Sequence, residues 1–221
     1  MIVRELIAAV DALKPNGYTV GQKTAWIEDM ENEIWREVFL RSAADGPASE
    51  GSERTLMLPD EWRRLYHMYL AAMIDFSNAE YTKYSNAMAA YNSAYTAFAA
   101  WYAERFAPAD RPAYWAKAAT AAYNEPAAGG MALPRGAAVL AAVCQVDTAF
   151  NGAENALTLG TVLRPAALLG ETDVMPEQSG RYWARTLFLP QDGETRLCAG
   201  YEGDAAAGTA QFAVLIQPGK E

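Results

Sequence analysis

The sequence predicts an α+β chain of two domains, an N-terminal all-α helical bundle with a long helix and a C-terminal antiparallel β sandwich or jelly-roll-like domain. Apolar residues recur every three or four positions over residues 1–106, as they do on one face of a helix. From Ala137 the apolar period falls towards two, and glycine-rich turns separate short runs of β-forming residues. Residues 107–136, which lie between these regions, are predicted to be a connection. Residues 137–221 are predicted to form the β domain.

The first helix is predicted over residues 2–13, and Pro15 ends it because proline disfavours helical backbone at the residue before it. Thr19 and Gln22 match a capping box, in which each side chain accepts a backbone N–H at the start of a helix. The second helix therefore begins here and extends to about Arg41.

Residues 43–55 have no apolar period and predict a loop. Pro59 and the two acidic residues after it suit the first turn of a third helix. Its apolar residues recur as far as Phe76, and a break is expected near Ser77.

The clearest pattern lies in the long helix that follows. Large side chains alternate spacings of three and four in a packing seam formed by Tyr81, Tyr84, Met88, Tyr91, Tyr95, Phe98 and Tyr102. Such a seven-residue repeat is typical of a helix packed lengthwise against another. A second face carries Ala87, Ala90, Ala94, Ala97 and Trp101. Both faces pack within one subunit, or the alanine face is a subunit interface.

Residues 107–136 contain four prolines, many alanines and the pair Gly129-Gly130, and they allow a short helix over Tyr114–Tyr123. The strands predicted after them are Val139–Phe150, Leu157–Leu163, Tyr182–Leu189, Thr195–Tyr201 and Thr209–Gln217. Gln191-Asp192-Gly193-Glu194 predicts a hairpin between the third and fourth of these, since Asp-Gly favours such turns.

Charge and hydropathy exclude several classes of function. The net charge of −9 is spread along the chain, so neither half offers the basic surface that sequence-specific nucleic-acid binding needs. No apolar run is long enough to span a membrane, and the acidic residue Glu5 does not fit a signal peptide. We therefore expect a protein of the cytoplasm, with Cys144 and Cys198 as buried thiols or, alternatively, as a disulfide.

Few residues could support catalysis. His67 is the single histidine and is expected to be structural. The total of two cysteines and one histidine is too scattered for a zinc site or a nucleophilic triad, and the phosphate-binding loop and dinucleotide motifs are absent. Di-iron sites in helical bundles use Glu-x-x-His pairs, which are also absent. We predict no catalytic residue, no cofactor and no metal.

Acidic residues form two groups. Glu28, Asp29, Glu31 and Glu33 lie on one helix, and such charge runs are typical of a solvated surface. Asp192, Glu194, Glu202 and Asp204 lie in turns of the β domain, where carboxylates could collect a calcium ion. Solvated turns are the expectation for this second group too.

Short stretches of the first half resemble head–tail connector (adaptor-type) proteins of tailed phages and prophages. They are Val10-Asp11-Ala12-Leu13-Lys14-Pro15-Asn16, Lys23-Thr24-Ala25-Trp26-Ile27, Glu31-x-x-Ile34, Leu65-Tyr66-His67-Met68-Tyr69-Leu70-Ala71-Ala72-Met73-Ile74-Asp75, Asn78-x-Glu80, Tyr84-Ser85-Asn86-x-Met88 and Tyr91-Asn92-x-Ala94-Tyr95-x-x-Phe98. The likeness covers residues 3–106, slightly under half the chain. The second half resembles β modules of other virion proteins only in Thr148–Gly152 and Leu157–Gly160.

The resemblance implies a non-enzymatic virion structural protein, assembled in the host cytoplasm, whose subunits form a ring beneath the portal. Its partners would be further copies of itself, the portal and tail-neck proteins, and no catalytic residue belongs to that role. The alternative is a virion decoration module that binds a ligand or carbohydrate. Trp183, Tyr182 and Tyr201 would then stack on sugar rings, although aromatic residues also fill cores.

Overall fold

The computed structural model describes residues 1–42, 51–106, 113–125, 127–191 and 196–220. The chain divides into two compact units, Met1–Arg105 and Phe106–Glu221. The first contains helices and the second contains antiparallel sheets, so the predicted α+β class is confirmed.

Over the residues that the structure describes, the helical unit contains four α-helices, α1 (Val3–Leu13), α2 (Val20–Glu37), α3 (Arg64–Ser77) and α4 (Tyr81–Arg105). The side chain of Thr19 accepts a hydrogen bond from the backbone N–H of Gln22, which is the predicted capping box at the start of α2. A short 3₁₀ turn over Asp60–Trp62 precedes α3. Among the described helices, none is both long and apolar enough to cross a membrane.

The core of the helical unit is built from one apolar stripe on each helix. In α1 the buried residues are Val3, Leu6, Ile7 and Val10. The stripe does not continue to Leu13, which is 82% exposed. In α2 the stripe contains Ile27, Met30 and Ile34, all fully buried. Helix α3 buries Leu65, Leu70 and Ile74.

The described part of the β unit contains seven strands, β1 (Tyr114–Ala122), β2 (Ala127–Ala132), β3 (Ala138–Thr148), β4 (Ala156–Thr161), β5 (Gly180–Phe188), β6 (Arg196–Glu202) and β7 (Thr209–Gln217). They form a four-stranded sheet of order β1-β7-β3-β5 and a three-stranded sheet of order β2-β6-β4. All pairings are antiparallel. Side chains from both sheets share one apolar core, so the unit is a β sandwich.

Two expectations about this half of the chain are wrong. The predicted helix over Tyr114–Tyr123 is strand β1, which pairs with β7, and Gly129-Gly130 lies in strand β2. The predicted hairpin would join β5 to β6, yet these strands belong to different sheets. Three of its four turn residues, 192–194, lie outside the described residues.

Glycine is required at one crowded point between the strands. A Cβ on Gly130 would lie 2.3 Å from the carbonyl oxygen of Ala118 in β1 and 2.6 Å from that of Leu197 in β6. Both distances are far inside van der Waals contact with backbone atoms. Gly130 therefore allows β2 to approach two strands closely, a packing role that its glycine-rich surroundings did not reveal.

Candidate functional site

The aromatic seam of α4 is buried along its second half. Tyr91, Phe98 and Tyr102 are buried, whereas Tyr84, Met88 and Tyr95 are half-buried and Tyr81 is 62% exposed. The ring centroid of Tyr91 lies 5.2 Å from that of Tyr69 in α3. Phe98 contacts Trp62 edge to face at 5.1 Å.

The alanine face of α4 is divided by burial. Ala94 is 7% exposed and is therefore already covered within the helical unit. Ala87 and Trp101 are half-buried, and Ala90 and Ala97 are exposed. The small side chains at Ala90 and Ala97 leave the helix backbone accessible to a neighbouring element.

A buried polar network joins α2, α3 and the segment before α3. The Oε2 atom of Glu31 lies 2.7 Å from a guanidinium nitrogen of Arg54, and both side chains are about 95% buried. Its Oε1 atom accepts the hydroxyl of Tyr66 at 2.6 Å and the backbone N–H of Met57 at 3.0 Å. The Tyr66 hydroxyl oxygen in turn accepts the N–H of Leu58 at 3.0 Å.

This network also fixes the start of the chain. The carbonyl of Arg54 accepts the backbone N–H of Val3 at 3.0 Å, and the carbonyl of Ser52 accepts that of Arg4 at 2.8 Å.

A charge that is buried as deeply as that of Glu31 is stable only when it is paired and hydrogen-bonded, a condition that its three partners meet. Expecting Glu31 to be solvated was therefore wrong, although Asp29 on the same helix is exposed.

Burial and the charge of Glu31 shift the pKa values of two groups in this network. Burial alone lowers the pKa of Arg54, but the adjacent carboxylate of Glu31 outweighs it and leaves that pKa above its ordinary value. Burial, followed by the charge of Glu31, raises the pKa of Tyr66 well above the usual range. Both groups therefore keep their protons, and Glu31 is paired with a cationic guanidinium on one oxygen and accepts from a neutral phenol on the other.

Two further ion pairs connect α1 to its neighbours. Lys23 in α2 is 98% buried, and its Nζ lies 2.7 Å from both carboxylate oxygens of Asp11. The Asn16 side chain contacts both groups and organises the turn between α1 and α2. Lys14 pairs with buried Asp75 of α3 and donates to the carbonyl of Ala71 at 3.1 Å.

These polar contacts coincide with the stretches that resemble connector proteins. Asp11, Lys14, Asn16, Lys23, Glu31, Tyr66 and Asp75 all belong to those stretches and all take part in the ion pairs and hydrogen bonds that join the helices. The sequence did contain one indication that Glu31 is buried, since it lies on the same helix stripe as Ile27 and Ile34.

His67 lies beside a cavity of about 390 Å³ at the start of α3, lined by Asp60, Glu61, Arg63, Arg64, His67 and Met68. Burial, and then the charge of Arg63, lower the pKa of His67, so it is neutral near pH 7. Within the described part of the chain, no group of three or more His, Cys, Asp or Glu side chains is arranged to hold a metal ion.

The acidic turns of the β unit are only partly described. Glu202 and Asp204 line a cavity of about 550 Å³ together with Glu154, Glu171 and Glu177. One carboxylate oxygen of Asp204 accepts the backbone N–H of Ala153 at 3.0 Å, which ties two turns together. Asp192 and Glu194, the other two candidates, lie outside the described residues.

The two cysteines are unpaired thiols. Cys144 lies in β3 and Cys198 in β6, so they belong to opposite sheets of the sandwich. Burial, followed by Asp147, raises the pKa of the Cys144 thiol to about 12, which removes its nucleophilic form at neutral pH.

The three aromatic residues proposed for sugar stacking do not share a surface. Tyr201 is 4% exposed and packs against Phe150 in the core. Tyr182 packs partly against the same core, and its hydroxyl donates to the carbonyl of Gln178 at 2.9 Å. Trp183 instead lies on the outer face of the four-stranded sheet, 5.3 Å from Trp115.

Trp115 was not among the predicted site residues, because it lies in the segment predicted as a connection. The alternation of Trp115 and Lys117 with alanines is a period of two, which was the available signal. Alanine has a low preference for strands and prolines flank the segment, so the pattern was obscured.

Comparisons with known proteins assign no role to the residues of these sites. No family model matches the chain, and no curated protein matches it. Among solved structures, the chain is similar to one titled "Cyanophage Pam1 capsid asymmetric unit", with 21% identity, a TM-score of 0.39 and coverage of 48% of this chain and 85% of that chain. A TM-score this low does not establish a shared fold.

Proposed function

We propose that this protein is a structural protein of a tailed-phage particle, and that its helical unit acts as a head–tail connector subunit. In this role it oligomerises into a ring and docks on portal and tail-neck proteins. The observation that carries the proposal is the coincidence described above. Seven residues within the stretches that resemble connector proteins pair or hydrogen-bond between elements of the bundle, as expected if the packing of the bundle is what the two share.

The surface of α4 supports an assembly role. Ala90 and Ala97 are exposed on a 25-residue helix that packs against α3 through its aromatic seam. An exposed row of alanines lets another backbone approach closely. We propose that Ala87, Ala90, Ala97 and Trp101 contact a neighbouring subunit in the ring.

The chemistry of the described residues is also consistent with a non-enzymatic protein. The carboxylates of Glu31, Asp11 and Asp75 are held in ion pairs that join separate elements of the helical unit. His67 is half-buried, and the Cys144 thiol stays protonated. These groups stabilise the fold.

A matched pair of arginine substitutions tests the interface. Ala90→Arg places a long charged side chain on the alanine face, whereas Ala89→Arg places the same side chain about 100° around the helix. Both alanines are exposed, so both variants should keep the melting temperature of the unchanged protein. The readout is the amount of tagged protein in particles purified from cells that carry the encoding phage genome, with the wild-type gene deleted.

We expect the unchanged protein and Ala89→Arg to be present in purified particles as an oligomeric ring by electron microscopy. Ala90→Arg should reduce incorporation by at least about tenfold, because a buried unpaired charge costs several kcal/mol. Absence of the unchanged protein from particles would contradict the virion role. Normal incorporation of Ala90→Arg would contradict the interface while leaving the virion role intact.

A further inference from the structure

The outer face of the four-stranded sheet carries a groove with a cavity volume of about 540 Å³. Its floor is formed by Val143 of β3 and Ala213 of β7, which are direct cross-strand neighbours. Trp115 of β1 and Trp183 of β5, whose rings contact each other, also line it. The volume lies within the range of small-ligand sites.

The two indole rings are arranged to offer a stacking surface. Their centroids are 5.3 Å apart and their planes are inclined by 82°, so one ring meets the other edge to face. An edge-to-face contact covers at most one face of the pair. Trp115 remains 39% exposed. An exposed indole face suits the apolar C–H face of a pyranose ring.

Polar groups lie at one end of the same groove. Gln145 pairs across the strands with both Arg181 and Gln211. The Nε of Arg181 donates to the side-chain oxygen of Gln145 at 3.2 Å, which orients the guanidinium. The Gln211 amide donates to Asp147 at 2.8 Å, and Asp147 itself lies outside the groove lining. Amides and a guanidinium are suitable partners for hydroxyl and carboxylate oxygens.

The charge of the groove differs from that of the unit that contains it. Residues 107–136 carry +1 and residues 137–221 carry −5, so the β unit has a net charge of −4. The charged residues of the groove lining are nevertheless Lys117 and Arg181, both cationic. This local reversal of sign favours an anionic ligand.

Single-stranded nucleic acid would also combine stacking with negative charge. Its binding depends on a continuous cationic track along many phosphates. The two cations in this groove do not provide that track. They are enough to pair with one or two carboxylates on a short saccharide. The charge distribution therefore favours a sugar acid over a nucleic acid.

We propose that this groove binds a carboxylate-bearing saccharide, with Trp115 and Trp183 packing against the sugar rings and Arg181 and Lys117 pairing with the carboxylates. The inference is independent of the connector role, because the groove residues belong to the β unit and not to the resembling stretches. It adds a ligand site to a protein for which a structural role is otherwise proposed.

The test is titration of the full-length, ¹⁵N-labelled protein with trigalacturonate and with 3′-sialyllactose, which are acidic, and with maltotriose and lactose, which are neutral. Indole N–H signals of Trp115 and Trp183 are assigned from Trp→Phe variants. We expect an acidic saccharide to shift both signals and its neutral counterpart to bind about tenfold more weakly or not at all. Binding should weaken with added salt.

Substitutions assign the roles. Arg181→Gln and Lys117→Gln change exposed side chains, so they should fold normally and weaken acidic-sugar binding by about fivefold or more. The matched control Arg196→Gln removes an exposed arginine of β6, in the other sheet, and should bind like the unchanged protein. Trp183→Ala should weaken binding by about tenfold.

Three results would overturn the proposal. They are unshifted indole signals with all four sugars, equal affinity for acidic and neutral sugars, and unchanged binding by Arg181→Gln and Lys117→Gln. An oligothymidylate that shifts both indole signals while the sugars do not would assign the groove to nucleic acid instead.

Discussion

The two units of this chain are stabilised by different means. The helical unit holds its connecting segments with buried charges, in the pairs Glu31–Arg54, Lys23–Asp11 and Lys14–Asp75. The sandwich is held by an apolar core in which alanine, leucine and valine side chains from two sheets interlock. A helical bundle with long connections needs directional contacts to fix them, whereas strands already fix one another through backbone hydrogen bonds.

The largest expected effect is in the helical unit. Glu31→Ala leaves the buried guanidinium of Arg54 without its carboxylate and removes the acceptor of the Tyr66 hydroxyl. Breaking a buried pair in this way costs about 3–5 kcal/mol in the free energy of unfolding. Urea denaturation measures it, with Asp29→Ala on the exposed side of α2 as control, expected within about 0.5 kcal/mol of the unchanged protein. A loss below about 1 kcal/mol for Glu31→Ala would mean that the network is not a major source of stability.

A somewhat smaller effect is expected from the matching change in the sandwich. Leu159 of β4 is fully buried in the shared core, so Leu159→Ala creates a cavity and costs about 2–5 kcal/mol. This loss of free energy should be independent of salt and of pH between about 6 and 8, because Leu159 is uncharged and the core around it is apolar. Thr158→Ala, on the opposite and half-exposed side of the strand, is the control. A strongly salt-dependent loss at Leu159 would remove the proposed difference between the units.

Alkaline pH should affect the helical unit progressively. Burial raises the pKa of Tyr69 to about 12, and it raises those of Tyr91 and Tyr102 still further. Unfolded tyrosines ionise near pH 10, while the folded ones stay protonated, so stability is complete below about pH 10 and falls as the pH rises towards the folded values. Melting followed at 222 nm at pH 8 to 11 measures this loss.

The control for the alkaline experiment is a double variant, Tyr91→Phe with Tyr102→Phe, which removes two of the titrating phenols from the core. Phenylalanine keeps both aromatic rings in the core, so the variant should fold. We expect its melting temperature to fall less steeply between pH 10 and 11. Equal slopes for both proteins would show that other groups determine the alkaline transition.

The helices and most strands could be predicted from the sequence, because the patterns that indicate them are local. The spacings from Tyr91 to Tyr102 and the capping residues Thr19 and Gln22 report the backbone within a turn or two. Trp115 could not be assigned in the same way. Its strand is rich in alanine, and it is stabilised as a strand by pairing with β7, about a hundred residues later in the chain.

Sheet membership is the clearest case of what only the tertiary structure decided. The sequence by itself determined that β5 and β6 are strands, but a turn motif between them could not tell whether they pair or cross between sheets. The burial of Glu31 is a second case, since a charge on a helical stripe is tolerated only if Arg54 and Tyr66 arrive from elsewhere. Local periodicity specifies the elements, whereas strand pairing and charge burial depend on contacts between residues distant in the chain, whose free energy no short pattern contains.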